Sequence, residues 1–179
     1  HPRCMPQAVS AAFCAPLLCL LVCVPGGALA VEQNTAFLPF KINAPDGAGL
    51  VATADAALAR EVAAKGLTLV PRAEAQRLVA YDGPWPPPAA AINRIADATG
   101  ADYVVVGSLN KVGQQISVDC ATYDVLAPTV PHSAFREAES LEGLNRVTGE
   151  IVGAMLAFSN KSATVAAIAP EGNERIDAG

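Results

Sequence analysis

The chain has 179 residues and a formal charge of −5, enough for one ordinary domain with additional segments. Hydrophobic residues reach 52% but aromatics only 5%, so Ala and Val dominate and a core must be packed from many light contacts. The 12 basic residues nowhere cluster, which excludes the grouped cations that a nucleic-acid backbone or an anionic membrane surface requires.

Residues 1–30 read as a secretory leader. Arg3 precedes an apolar run from Phe13 to Val24, Pro25-Gly26-Gly27 breaks any helix, and Ala28-Leu29-Ala30 supplies a small-x-small cleavage pattern. The expected mature chain starts at Val31 and keeps 11 basic against 17 acidic residues. A membrane anchor needs about 20 apolar residues and this run is shorter. A lipoprotein reading would use Leu20-Leu21-Val22-Cys23, but Val22 is larger than the residue such processing takes. Cys4, Cys14, Cys19 and Cys23 would leave with the leader, and Cys120 would be the one mature thiol.

Along the mature chain, Thr35 to Ile42 predicts a strand with Pro39 at a bulge or edge. Leu50 to Lys65 predicts a helix with Leu50, Ala54, Ala57, Leu58 and Val62 on its inner face, stopped by Gly66. Leu67 to Val70 is a second strand, and Arg72 to Ala80 a short helix. Tyr81 to Pro88 (YDGPWPPP) is a loop carrying Trp85, the single tryptophan. Ala89 to Thr99 is a helix capped by Gly100. Asp102 to Leu109 is a strand whose unbroken Val run implies burial on both faces. Gln114 to Val125 alternates, with Ile116, Val118 and Cys120 on one side and Ser117 and Asp119 on the other. His132 to Glu139 completes a meander, and Ser140 should cap a helix from Leu141 to Phe158. The expected fold is α/β (α+β): a mixed sheet of about five strands with helices mainly on one face. Asn160 to Thr164 looks like a polar linker, with something new opening at Val165.

Two stretches carry a family resemblance. Gly100-Ala101-Asp102-Tyr103-Val104-Val105-Val106-Gly107-Ser108-Leu109, with the earlier FLPF and LTLVPR strands, resembles TolB-amino-terminal-like periplasmic domains over about residues 35–158. Gly100 would release the helix, and Gly107 would permit a close backbone approach. Ile168 to Gly179, with Glu171-Gly172-Asn173-Glu174-Arg175-Ile176, resembles the opening strand of a POTRA repeat of BamA-type assembly factors, although Ala169-Pro170 departs from strand alternation. The resemblance implies a signal peptide at 1–30, a TolB-amino-terminal-like domain at 31–160, and at 161–179 a linker and the start of a truncated POTRA-like repeat. It also implies partners among periplasmic and outer-membrane proteins, both accessory assembly factors and unfolded barrel precursors, and outer-membrane attachment through sequence further downstream. The site would then be the periplasm or outer membrane of a Gram-negative bacterium. The alternative is a stand-alone periplasmic binding or regulatory protein of TolB-amino-terminal-like fold.

Chemistry is sparse. His132 is the one mature histidine and cannot build a His-pair metal site. Cys120 in an alternating strand reads as a core thiol. Asp119 and Asp124 should face opposite sides, which makes them poor acid/base partners. Gly47-x-Gly49 is not a phosphate loop, Asn93 and Asp97 read as a solvated helix face, and no GxSxG elbow is present. No catalytic, metal or cofactor residue is assigned and no cofactor is expected. Trp85 among prolines is a candidate recognition surface because such segments are pre-extended. The expectation is a non-enzymatic interaction module of an envelope assembly factor, with no nucleic-acid partner.

Overall fold

The computed structural model describes residues 34–127 and 130–168, with side chains described as far as Asn160. The leader residues and the residues from Ala169 onward, which carry most of the POTRA-like stretch, lie outside the described part.

The elements in chain order are β1 (Thr35–Phe37), β2 (Lys41–Asn43), α1 (Gly47–Ala64), β3 (Thr68–Leu69), α2 (Arg72–Leu78), α3 (Ala89–Thr99), β4 (Tyr103–Val112), β5 (Gln115–Asp124), β6 (His132–Ala138) and α4 (Leu144–Ile168). Strands follow the order β3-β1-β4-β5-β6, with β2 also paired to β4. β1 and β2 both run parallel to β4, one after the other along it. They are thus one strand position interrupted at Leu38-Pro39-Phe40, as expected of a Pro that has no N–H for the ladder. The sheet is mixed, with parallel β3, β1 and β2 against β4 and an antiparallel β4-β5-β6 meander.

The Val run of β4 shows how the layers are built. Val105 and Leu109 join Phe37, Phe40, Ile116 and Val118 in a core under α1 and α4. Val104 and Val106, on the opposite pleat, join Ala36, Leu38, Ile92 and Ile95 in a second core under α2 and α3. The two long helices cover one face, which agrees with the expectation of helices mainly on one side. The short pair covers β3, β1 and the Val104–Val106 end of β4 on the other face, and leaves the rest of the β4-β5-β6 meander without a helix. Ala54, Ala57 and Ala75 are buried small residues of α1 and α2, while Phe37 and Phe40 supply the bulk.

The inner face of α1 is the one expected, although the helix begins three residues early, at Gly47. Gly66 and Gly100 stop α1 and α3 with φ of 66° and 65°, a left-handed conformation that glycine adopts without a Cβ penalty. Two expectations about the last helix are corrected. Ser140 makes no side-chain cap to the backbone: its hydroxyl donates to Glu142 Oε2 at 2.8 Å, and a 3-10 turn over Leu141–Gly143 precedes α4. The stretch Asn160 to Thr164 is not an extended linker. The helix runs through it to Ile168, because no Gly or Pro interrupts the sequence until Pro170.

Gly107 is the position where the chain needs glycine for space. A Cβ there would strike Cys120 Sγ and lie 2.8 Å from the Asp119 carbonyl and 3.0 Å from Phe40 Cδ1. Gly107→Val is expected to destabilise the domain by about 1–3 kcal/mol, the cost of forced repacking. An unchanged urea midpoint would show that the β4-β5 contact is looser than described.

Candidate functional site

The uncovered half of the sheet forms a trough of about 330 Å³. Trp85 and Pro86 make one wall, Ser108, Asp119 and Ala121 the floor, and Phe135 the far side. The strands place these groups by register. Ser108 pairs with Asp119 and Asp119 with Phe135, so their side chains fall in one row across β4, β5 and β6. Beside them, Asn110 Nδ2 donates to Asp119 Oδ2 at 3.1 Å, and Asn43 Nδ2 donates to Asn110 Oδ1 at 2.8 Å.

The aromatic wall is braced from behind. The Trp85 ring lies 5.3 Å from that of Tyr81, and Lys41 Nζ sits 5.8 Å over the indole while donating to Gly83 O at 2.9 Å. Tyr81 Oη donates to Pro39 O at 2.8 Å. The Arg72 guanidinium lies 5.3 Å from the Tyr81 ring, grips both carboxylate oxygens of Asp55 at 2.6 Å, and donates to Phe40 O at 3.0 Å. The Asp55 hydrogen bonds raise the Arg72 pKa, and burial pushes the Tyr81 phenol up, so both keep their protons at any physiological pH. The Trp85–Pro86 peptide bond is cis. A half-buried Trp held by a Tyr, a Lys and a bidentate Arg pair is a pre-organised contact surface, of the type that concentrates binding energy.

Of the residues singled out in the sequence, the fold brings Trp85 to the wall of this site and Asp119 to its floor. Cys120 is buried in the α1-α4 core, and burial pushes its thiol pKa up. It should therefore resist thiol reagents in the folded protein and react only on unfolding; rapid labelling under native conditions would contradict its placement. His132, partly buried at the start of β6, stacks on Phe158 with ring centroids 4.6 Å apart. Asp119 and Asp124 do face opposite sides of β5; Asp124 Oδ1 accepts from the Leu126 and Ala127 amides. Asn93 and Asp97 are exposed, and Gly47 and Gly49 lie in the first turn of α1. Among the described residues no group of three or more His, Cys, Asp or Glu could hold a metal ion, and no helix is long and apolar enough to cross a membrane. Sequence reasoning missed Phe135, Tyr81, Arg72 and Lys41. Phe135 had a legible signal: it is the one large apolar residue among Ser133 and Glu137 on its face of an alternating strand.

No protein-family model matches the chain, and no curated protein matches it. Similar solved structures include the carboxy-terminal domain of LpoB from Salmonella enterica, with 15% identity over 59% of this chain and 82% of that one and a TM-score of 0.41. They also include a PelC dodecamer from Paraburkholderia phytofirmans, 16% identical over 70% of this chain and 86% of that one, TM-score 0.40. A third is lipoprotein GNA1162 from Neisseria meningitidis, 19% identical over 73% and 98%, TM-score 0.35. Likenesses of this size assign neither a family nor a function, and none of these three structures is a BamA or POTRA protein.

Proposed function

We propose that this chain is an exported cell-envelope domain that works by holding another protein in the trough between Trp85 and Phe135. The observation that carries this reading is the braced aromatic wall beside a half-sheet that no helix covers. Ordering Trp85, Tyr81 and Arg72 before a partner arrives lowers the entropic cost of docking. A mixed floor of Ser108, Asp119 and Ala121 suits hydrogen bonding around an apolar anchor. The export half of the proposal rests on the leader pattern at residues 1–30. It is tested by sequencing the amino terminus of the mature protein: Val31-Glu32-Gln33 in the envelope fraction supports it, and an intact leader in the cytoplasm overturns it.

The finer reading places this domain ahead of POTRA repeats in a BamA-type assembly factor, with barrel precursors or accessory factors as partners. Its support is the stretch Ile168 to Gly179. The reading frame beyond Gly179 decides it. Repeated β-α-α-β-β units followed by alternating barrel strands support it; a stop codon soon after leaves a stand-alone periplasmic binding or regulatory protein.

A further inference from the structure

β6 stands at one side of the sheet, and the hairpin before it fixes where its backbone groups point. Val112 pairs with Gln115 across a two-residue turn with Gly113 at φ 62°. A pair that closes such a turn exchanges both its hydrogen bonds. Alternation then turns the backbone groups of Ile116, Val118, Cys120 and Thr122 toward β6, where they meet Ala138, Arg136, Ala134 and His132. Ser133, Phe135 and Glu137 therefore direct their N–H and C=O groups out of the sheet. Such an edge is a template for a further strand.

Two of those three carbonyls are occupied. Arg136 Nη1 donates to Phe135 O at 2.7 Å, and Arg146 Nη2, reaching over from α4, donates to Glu137 O at 3.3 Å. Both guanidiniums also meet Glu150, at 3.4 Å from Arg136 and 2.7 Å from Arg146. One carboxylate thus holds two arginines over the acceptors that an added strand would need.

We infer that β6 is a guarded pairing edge, held shut by Arg136, Arg146 and Glu150 and fitted to the β6 strand of a second copy of this chain. The strand is self-complementary in one register. An antiparallel copy must set outward residues against outward residues. Centred on Phe135, it places Phe135 against Phe135 and Ser133 against Glu137, giving an apolar partner to a phenylalanine that is 47% exposed. Moving the centre to Arg136 sets two guanidinium groups directly opposite each other. Moving it to Ala134 runs Glu137 onto Pro131, which has no N–H to donate. This surface is the backbone edge of β6; it shares the Ser133 and Phe135 side chains with the trough, but edge pairing stands without the docking role proposed above.

Sedimentation velocity on the full chain tests the inference. The unmodified protein is expected to be monomeric, and Arg136→Gln with Arg146→Gln to form a dimer. Adding Phe135→Pro, which removes an outward N–H that β5 does not use, should restore the monomer. Ser133→Lys in the double variant should tighten the dimer against the opposing Glu137, and Ser133→Glu should weaken it. Glu150→Gln alone should shift the protein the same way as the double variant, to a smaller extent, and all three guard residues are exposed, so the fold survives their loss. A double variant that stays folded and monomeric overturns the inference. So does a dimer indifferent to Phe135→Pro and Ser133→Glu, or an unmodified protein that is already dimeric.

Discussion

Phe40→Ala is expected to cost about 3–5 kcal/mol of folding stability, the range for emptying a large aromatic site in a packed core. Phe40 is 2% exposed and belongs to the core under α1 and α4. It sits beside Gly107, where the sheet has no side chain of its own to move into a vacated space. Its carbonyl also receives Arg72, so collapse of the segment would disturb the brace behind Trp85. Urea denaturation should show a lower midpoint with an unchanged slope. A loss under about 1 kcal/mol would mean that the interruption at Pro39 lets the strand relax into the cavity.

Arg72→Ala is expected to cost about 2–3 kcal/mol, below the figure for a fully buried pair because both partners keep some solvent access. The side chains of Arg72 and Asp55 are 19% and 29% exposed. Truncation leaves Asp55 unpaired, removes the donor to Phe40 O, and strips the cation from the face of Tyr81. Tryptophan fluorescence should report a more mobile, more solvated Trp85 even where the protein remains folded. Asp55→Asn should be milder, since the amide keeps one acceptor for the guanidinium. Equal losses in the two variants, or an unchanged Trp85 emission in Arg72→Ala, would show that the brace is incidental.

Much of the architecture was legible because periodicity reports burial. The inner face of α1 and the pleat of β5 follow from spacings of 3.6 and 2, and the run at Val104 to Val106 announced a strand covered on both sides. Gly66 and Gly100 marked helix ends through the backbone freedom they alone supply. What spacing does not encode is who occupies a polar group. Ser140 sits where an N-cap belongs, yet its hydroxyl goes to Glu142. Asn160 to Thr164 is polar enough to suggest a linker, but polarity without Gly or Pro is compatible with an exposed helical turn.

The candidate site was half legible for the same reason. Trp85 stands out by composition and the prolines around it. Its supports, Arg72, Asp55 and Lys41, come from three other segments, and no periodic pattern links residues that meet only after folding. The open half-sheet follows from the lengths of α2 and α3, 7 and 11 residues, against strands of 10 residues in β4 and β5. Short helices cannot cover that meander. The uncovered half is where the exposed Phe135 comes to lie.

The docking account is tested most directly by crosslinking in living cells. A photoreactive residue at Ser108 or Ser133, whose side chains point into the trough, is compared with one at Asp97 on the exposed face of α3. The account predicts a discrete protein adduct from the trough positions that disappears with Trp85→Ala, and none from Asp97. Adducts of equal yield from all three positions, or ones that persist without the indole, would contradict it.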